Sequence, residues 1–215
     1  MAQRDPDWFK LRAGKFTGSR FADLMARTKT GPAAARKNLI VTLAVERITG
    51  DCVETYCNGA MQRGIDLEPL ARQAYELEHM VVVQEVDFIQ HPTLPFVGCS
   101  PDGLVGDDGM VEIKCPSAAG KHYDALMSGA HAVEYSWQLQ GQLWVAGRAW
   151  VDAVSYDPRF PEGLQLAICR VVRDAERIKE LEAACIAADA EVAAAVESLR
   201  KLAAPGFVRA RVVAA

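Results

Sequence analysis

Residues 97–116 read VGCSPDGLVGDDGMVEIKCP, with turn signals alternating with short apolar stretches. SPDG has Pro at the second position of a β-turn and Gly at the fourth, so Asp102 sits at the mouth of the strand that follows. In VEIK the side chains alternate, which puts Val111 and Ile113 on one face and Glu112 and Lys114 on the other. Between the strands, DDG can form a three-residue hairpin loop with Gly109 left-handed, or DG a two-residue one. The three-residue loop is expected here. It pairs Gly106 with Met110, sets Leu104 opposite Glu112 and Asp102 opposite Lys114, and gathers Asp102, Glu112 and Lys114 on one face; a slip of one residue would turn Asp102 away.

Two carboxylates and an ammonium on one face admit two readings. SPDG can be a plain turn, and a Glu/Lys pair is common on surface strands. As chemistry, two hard oxygen donors suit Mg²⁺ or Mn²⁺, which keep several waters and favour carboxylates and phosphates. A lysine beside them can orient the water that attacks a phosphodiester.

Upstream, Thr17 or Ser19 can cap a helix ending near Met25, RTKTGPAAAR forms an exposed basic loop, and a second helix runs from about Ala34 to Ile48 before Gly50. Between Met61 and Glu78, Leu67, Leu70, Ala71, Ala74 and Leu77 recur at helical spacing, with Glu68 bordering that stripe. VVVQEVDFI (81–89) is β-branched and predicts a strand. Downstream, helices are predicted at about 118–128 and 133–146 and strands at 149–156 and 164–172. A long helix from Asp174 carries the stripe Ile178, Leu181, Cys185, Ala188, Val192, Val196 and Leu199. This order predicts a mixed sheet covered by helices, an α/β or α+β fold.

A chain of 215 residues, half of them apolar, suits a single domain, and its charged fraction of 24% is ordinary for a globular protein. The charged N-terminus and the lack of a long apolar run point away from a signal peptide or a membrane span and toward the cytosol. The six cysteines (52, 57, 99, 115, 169 and 185) contain no CxxC pair, so they are expected as small apolar groups rather than zinc ligands or disulfides. The net charge of −4 is uneven: residues 1–47 carry ten basic side chains against four acidic ones, leaving −10 for the rest. A local basic footprint on an acidic chain suits an enclosed anionic ligand better than a broad DNA-coating surface.

Asp102 followed after nine residues by Glu112-x-Lys114 resembles the PD-(D/E)xK nuclease core. WFKLRAGKFTGS (8–19), GIDLEPLARQAYE (64–76), CSPDGL, VEIKCP, EYSWQLQGQLWV (134–145) and SYDPRFPEGL (155–164) resemble, in order, the lambda-exonuclease-like (YqaJ-like) phage recombinases. The resemblance implies a restriction-endonuclease-like core, a central mixed β-sheet flanked by α-helices. It also implies a Mg²⁺-dependent (Mn²⁺ substituting) 5′-to-3′ exonuclease on linear double-stranded DNA. Such an enzyme releases mononucleotides and leaves a 3′ single strand for recombination by strand annealing.

By the same resemblance Asp102, Glu112, the Ile113 carbonyl and Glu68 would bind metal, and Lys114 would act on the attacking water. Arg12 and Ser19 would help bind a 5′-terminal phosphate, with Ser100 and Gln138 at phosphate or active-site positions. Lys29 stands where the family pattern calls for an arginine. Gln138 and Gln140 are otherwise expected as polar contacts within a helix pair, and Trp8 and Trp137 as core packing. Implied partners are linear duplex DNA, further copies of the chain in a ring-shaped homotrimer, and a single-strand annealing protein. The alternatives are another endonuclease of this superfamily and a DNA-end-binding recombination protein without cleavage.

Overall fold

The computed structural model describes residues 5–29, 31–53 and 58–203; Cys57 lies outside them. The chain opens with α1 (Pro6–Arg12), β1 (Phe16–Thr17), a 3-10 turn (Gly18–Arg20) and α2 (Phe21–Met25). A hairpin of β2 (Arg27–Thr28) and β3 (Gly31–Pro32) precedes α3 (Ala34–Thr49) and α4 (Gly59–His79). Short strands β4 (Val83–Gln84), β5 (Ile89–Gln90), β6 (Val97–Cys99) and β7 (Gly103–Val105) lead to β8 (Gly109–Lys114). Helices α5 (Ala119–Ser128), α6 (Ala130–Glu134) and α7 (Ser136–Ala146) then reach β9 (Trp150–Tyr156), β10 (Leu166–Val172) and the closing helix α8 (Ala175–Ala203).

The main sheet has the order β10-β9-β8-β7-β4, and a smaller sheet the order β1-β6-β5. β8 and β9 run parallel while the other pairs of the main sheet are antiparallel, so the sheet is mixed. A parallel pair needs a long crossover, which α5 to α7 supply. Alternation on β8 then distributes the core: Val111 and Ile113 pack with Ala71 and Tyr75 of α4, and Met110 packs with Leu139 and Leu143 of α7 on the opposite face. A third cluster joins α2, α3, α7 and α8 around Phe21, Leu43 and Leu181. Six of the seven predicted stripe residues of α8 belong to it, and Leu199 packs against its edge. At about 1.5–3 kcal/mol for each large side chain, that burial rather than helix propensity fixes α8. The result is the expected mixed α/β architecture, with a sheet flanked by helices.

The hairpin corrects its predicted register. Leu104 pairs with Met110 and Val105 with Gly109, so continuing the ladder sets Asp102 opposite Glu112 rather than Lys114. The loop still has three residues, Gly106-Asp107-Asp108, but the left-handed glycine is Gly106, at φ +54, and not Gly109. Gly109 serves a different need, since a Cβ there would meet the Trp150 ring at 2.1 Å. The slip is of two residues, an even number, so Asp102, Glu112 and Lys114 keep their common face.

Four other expectations change. Residues 81–89 form only the two-residue strands β4 and β5, which pair with β7 and β6 respectively. On α4, Leu70 and Leu77 are 49% and 70% exposed. The sheet meets that helix along the narrower line of Leu67, Ala71, Ala74 and Tyr75. The helix expected at 133–146 breaks at Tyr135 into α6 and α7. Neither Thr17 nor Ser19 caps a helix through its side chain.

Candidate active site

Glu112 is buried, at 3% exposure, on the α7 face of the sheet. A carboxylate at that depth needs several donors. Lys114 Nζ approaches Oε1 at 2.6 Å, Gln142 Nε2 donates to Oε2 at 2.6 Å, and Gln138 Nε2 donates to Oε1. Gln138 and Gln142 lie one helical turn apart on α7, and so reach the same carboxylate. Gln140 points elsewhere, donating to the Val172 carbonyl and accepting from the Asp174 amide. Lys114 also lies over the Tyr135 ring, 4.7 Å from its centroid. Burial opposes its charge, but Glu112 and Asp102 outweigh that and raise its pKa.

Asp102 accepts the Ile113 amide at 2.6 Å, a bond that ties the SPDG turn to β8. Burial, then Glu112, then Glu68 push the Asp102 carboxyl well above the usual carboxylate range. Burial, Glu68 and Asp102 likewise push the neighbouring Cys115 thiol up to about 12. Glu68, Asp102, Ile113, Lys114 and Tyr135 line one open cavity of about 510 Å³. The α4 end of that cavity is fixed by Asp157, which is buried and pairs with Arg63 at 3.2 Å and with Arg159 at 2.6 Å. Glu68 itself pairs with Arg72 at 3.0 Å.

The donor set fits a hard divalent cation: Asp102, Glu112 and Glu68 offer carboxylate oxygens and Ile113 a main-chain carbonyl. The raised Asp102 carboxyl reflects burial among carboxylates that Lys114 only partly offsets. Among the described residues no three His, Cys, Asp or Glu side chains yet converge as a metal-holding group.

The second group is built around Arg12, at the end of α1. Its guanidinium donates to Ser100 Oγ at 3.3 Å, Thr17 Oγ1 at 3.1 Å and Ser19 Oγ at 3.5 Å. The Trp8 indole N–H donates to the same Ser100 hydroxyl at 3.0 Å, and its ring lies 4.2 Å below the guanidinium carbon. Trp8 is therefore a wall of this group and not core packing, whereas Trp137 does pack against the helical core. The two hydroxyls expected as caps are drawn to Arg12 instead. Burial and the nearby Arg20 bring the Arg12 pKa down to about 10.

Beneath it, buried Glu46 fixes the loop by accepting from the Gly14 and Val53 amides and pairing with Arg20 at 2.5 Å. Lys29 is exposed at the turn between β2 and β3, and none of the side chains that Arg12 bonds to lies on that hairpin.

Of the expected site residues, the fold brings Asp102, Glu112, Lys114, Ile113, Glu68 and Gln138 to one centre and Arg12, Ser19 and Ser100 to another. It leaves Lys29 outside both. Gln142, Thr17, Arg72 and Tyr135 were missed. The i, i+4 spacing of Gln138 and Gln142 was a visible signal; Thr17 and Tyr135 carried none.

Residues 7–149 match the YqaJ-like viral recombinase domain. In structure, the chain is similar to an alkaline exonuclease, LHK-Exo, from Laribacter hongkongensis, at 44% identity and a TM-score of 0.84 over 93% of this chain and 98% of that one. The same figures hold for LHK-Exo in complex with dAMP. A phage-related exonuclease from Haemophilus somnus is 15% identical, with a TM-score of 0.72 over 86% of this chain and 96% of that one, which speaks for the fold alone. A comparison with curated proteins gave no significant match.

Proposed function

Because the chain belongs to the YqaJ-like viral recombinase family and is an exonuclease of that phage type, we propose that it degrades the 5′ strand of linear duplex DNA in a Mg²⁺- or Mn²⁺-dependent reaction. It releases 5′-mononucleotides and leaves a 3′ single strand for annealing-type recombination. The observation that carries the reading is the turn Ser100-Pro101-Asp102. Its Ser100 hydroxyl belongs to the cationic Arg12 group and its Asp102 carboxyl to the acidic centre. A terminal 5′ phosphate on Arg12, Ser19, Thr17 and Ser100 would set the next phosphodiester beside Asp102 and Glu112. Direction then follows from the strand end, since an internal phosphate has no free terminus to enter the Arg12 group. The solved complex of LHK-Exo with dAMP, a deoxynucleoside monophosphate, accords with a mononucleotide product.

Bound Mg²⁺ or Mn²⁺ would activate water and neutralise charge on the phosphate. Asp102, Glu112 and the Ile113 carbonyl would hold a first ion, and Glu68 would help hold a second. Gln138 and Gln142 hold the two oxygens of Glu112 in place, and Lys114, held protonated, would donate to the attacking water and orient it. A homotrimeric ring would keep an acidic chain on the duplex and present the 3′ strand to an annealing protein. No helix among the described residues is long and apolar enough to cross a membrane.

The test is incubation with linear duplexes carrying 5′ phosphate or 5′ hydroxyl and with closed circles, with and without Mg²⁺. Mononucleotide release confined to phosphorylated linear DNA and Mg²⁺ supports the reading. Cutting of circles points to an endonuclease, and binding without products to an end-binding protein.

A further inference from the structure

Glu68 is the one acidic side chain of the centre whose pairing cation comes from outside it. Arg72, four residues on along α4, sets Nη2 3.0 Å from Glu68 Oε1 and Nη1 against Oε1 of Glu85, which lies in the chain following β4. The Arg72 side chain is 13% exposed, whereas that of Glu85 is 73% exposed, so the fork joins a cavity-lining carboxylate, Glu68, to one at the surface. Its Nε is buried without a hydrogen-bond partner, so Arg72 depends on its two carboxylates for compensation.

Glu112 is satisfied by groups of the centre itself, and Asp102 by one main-chain amide. A first cation on Asp102, Glu112 and the Ile113 carbonyl meets the Lys114 ammonium, 2.6 Å from Glu112, but no arginine. A second one that uses Glu68 meets a guanidinium already seated there.

We propose that Arg72 is a positioning residue that competes with the second divalent cation for Glu68, so that a positive charge built into α4 lowers the affinity of the second metal site. This rests on Glu68 being a ligand, as in the proposed function. Arg72 keeps Glu68 from closing on Asp102 and Glu112 while the centre lacks cations, and Glu85 receives the guanidinium when Glu68 turns inward. The centre is thereby filled in order, and the second cation is the one that limits activity at low Mg²⁺.

Titration of the DNA-free protein with Mn²⁺, followed by electron paramagnetic resonance, counts the bound ions and their affinities without turnover. Removing one positive charge a few ångströms from a cation in a partly solvated site changes its affinity by about tenfold. Arg72→Gln is thus expected to tighten the second Mn²⁺ about tenfold and leave the first unchanged, while Arg72→Lys, which keeps the charge, stays within about threefold of wild type. An unchanged or weakened second site in a folded Arg72→Gln protein overturns the proposal, and so does equal tightening in Arg72→Lys. Glu68→Gln separates the two failures. If it leaves the Mn²⁺ count and affinities unaltered, Glu68 is no ligand and the earlier reading falls; if it removes the second ion while Arg72→Gln changes nothing, only the competition is wrong.

Discussion

The acidic centre and the Arg12 group are electrical opposites, joined by a single turn. In one, burial and two neighbouring carboxylates push Asp102 up; in the other, burial and a neighbouring guanidinium bring Arg12 down. In each region burial and like-charged neighbours act against the ionised form, and Lys114 in the first and Glu46 in the second offset this only in part. A cation suits the first and an anion the second. A phosphodiester chain with a charged end, bound beside divalent metal, supplies both at a fixed separation.

The contrast breaks most severely at Asp102. Asp102→Asn should lower mononucleotide release about a thousandfold or more, because the centre would lose a proposed metal ligand. It should also make the cation-free protein more stable, by about 2–4 °C for each kcal/mol of like-charge repulsion removed, which calorimetry would read. The sign follows from the raised carboxyl. Its stabilising protonated form is present below the ordinary carboxylate range and is lost as pH rises through the raised value. Stabilisation of the wild type by Mg²⁺ should accordingly grow as pH rises through the raised Asp102 value, and Asp102→Asn should lose that pH dependence.

Arg12→Ala comes next. Charge-assisted hydrogen bonds contribute about 1.5–3 kcal/mol, so the preference for phosphorylated over hydroxyl ends should fall roughly tenfold to a hundredfold with kcat at saturating DNA nearly kept. Gln142→Leu leaves one oxygen of buried Glu112 short of a donor. A cost of about 1–3 kcal/mol should appear as a lower melting temperature and a loss of roughly tenfold in rate. Trp8→Phe keeps the ring below Arg12 but deletes the donor to Ser100, and a rise of only about threefold in KM for phosphorylated ends is expected.

Much of this was legible in the chain, and the limits have physical causes. Alternation in VEIK and the length of the loop before it placed Glu112, Lys114 and Asp102 on one face even though the register was off by two, since side-chain direction depends only on parity. The error came from assigning the left-handed residue to Gly109, which is a glycine because of Trp150, a contact 41 residues away along the chain. The α8 stripe was readable because its whole length meets the core. The α4 stripe was overdrawn because periodicity does not tell how wide a line the sheet covers. Thr17 and Ser19 have the chemistry of caps, and only the fold reveals that Arg12 takes both hydroxyls. Cys99 and Cys185 are buried thiols as expected, and no disulfide joins the described cysteines.

The central claim is that the Arg12 group reads a strand end for the acidic centre next to it. It is tested most directly by measuring kcat/KM for mononucleotide release from 5′-phosphoryl and 5′-hydroxyl duplexes with wild type and Arg12→Ala side by side in Mg²⁺. The account predicts a strong preference for phosphate in the wild type that collapses in Arg12→Ala. Equal preference in the two proteins would contradict it.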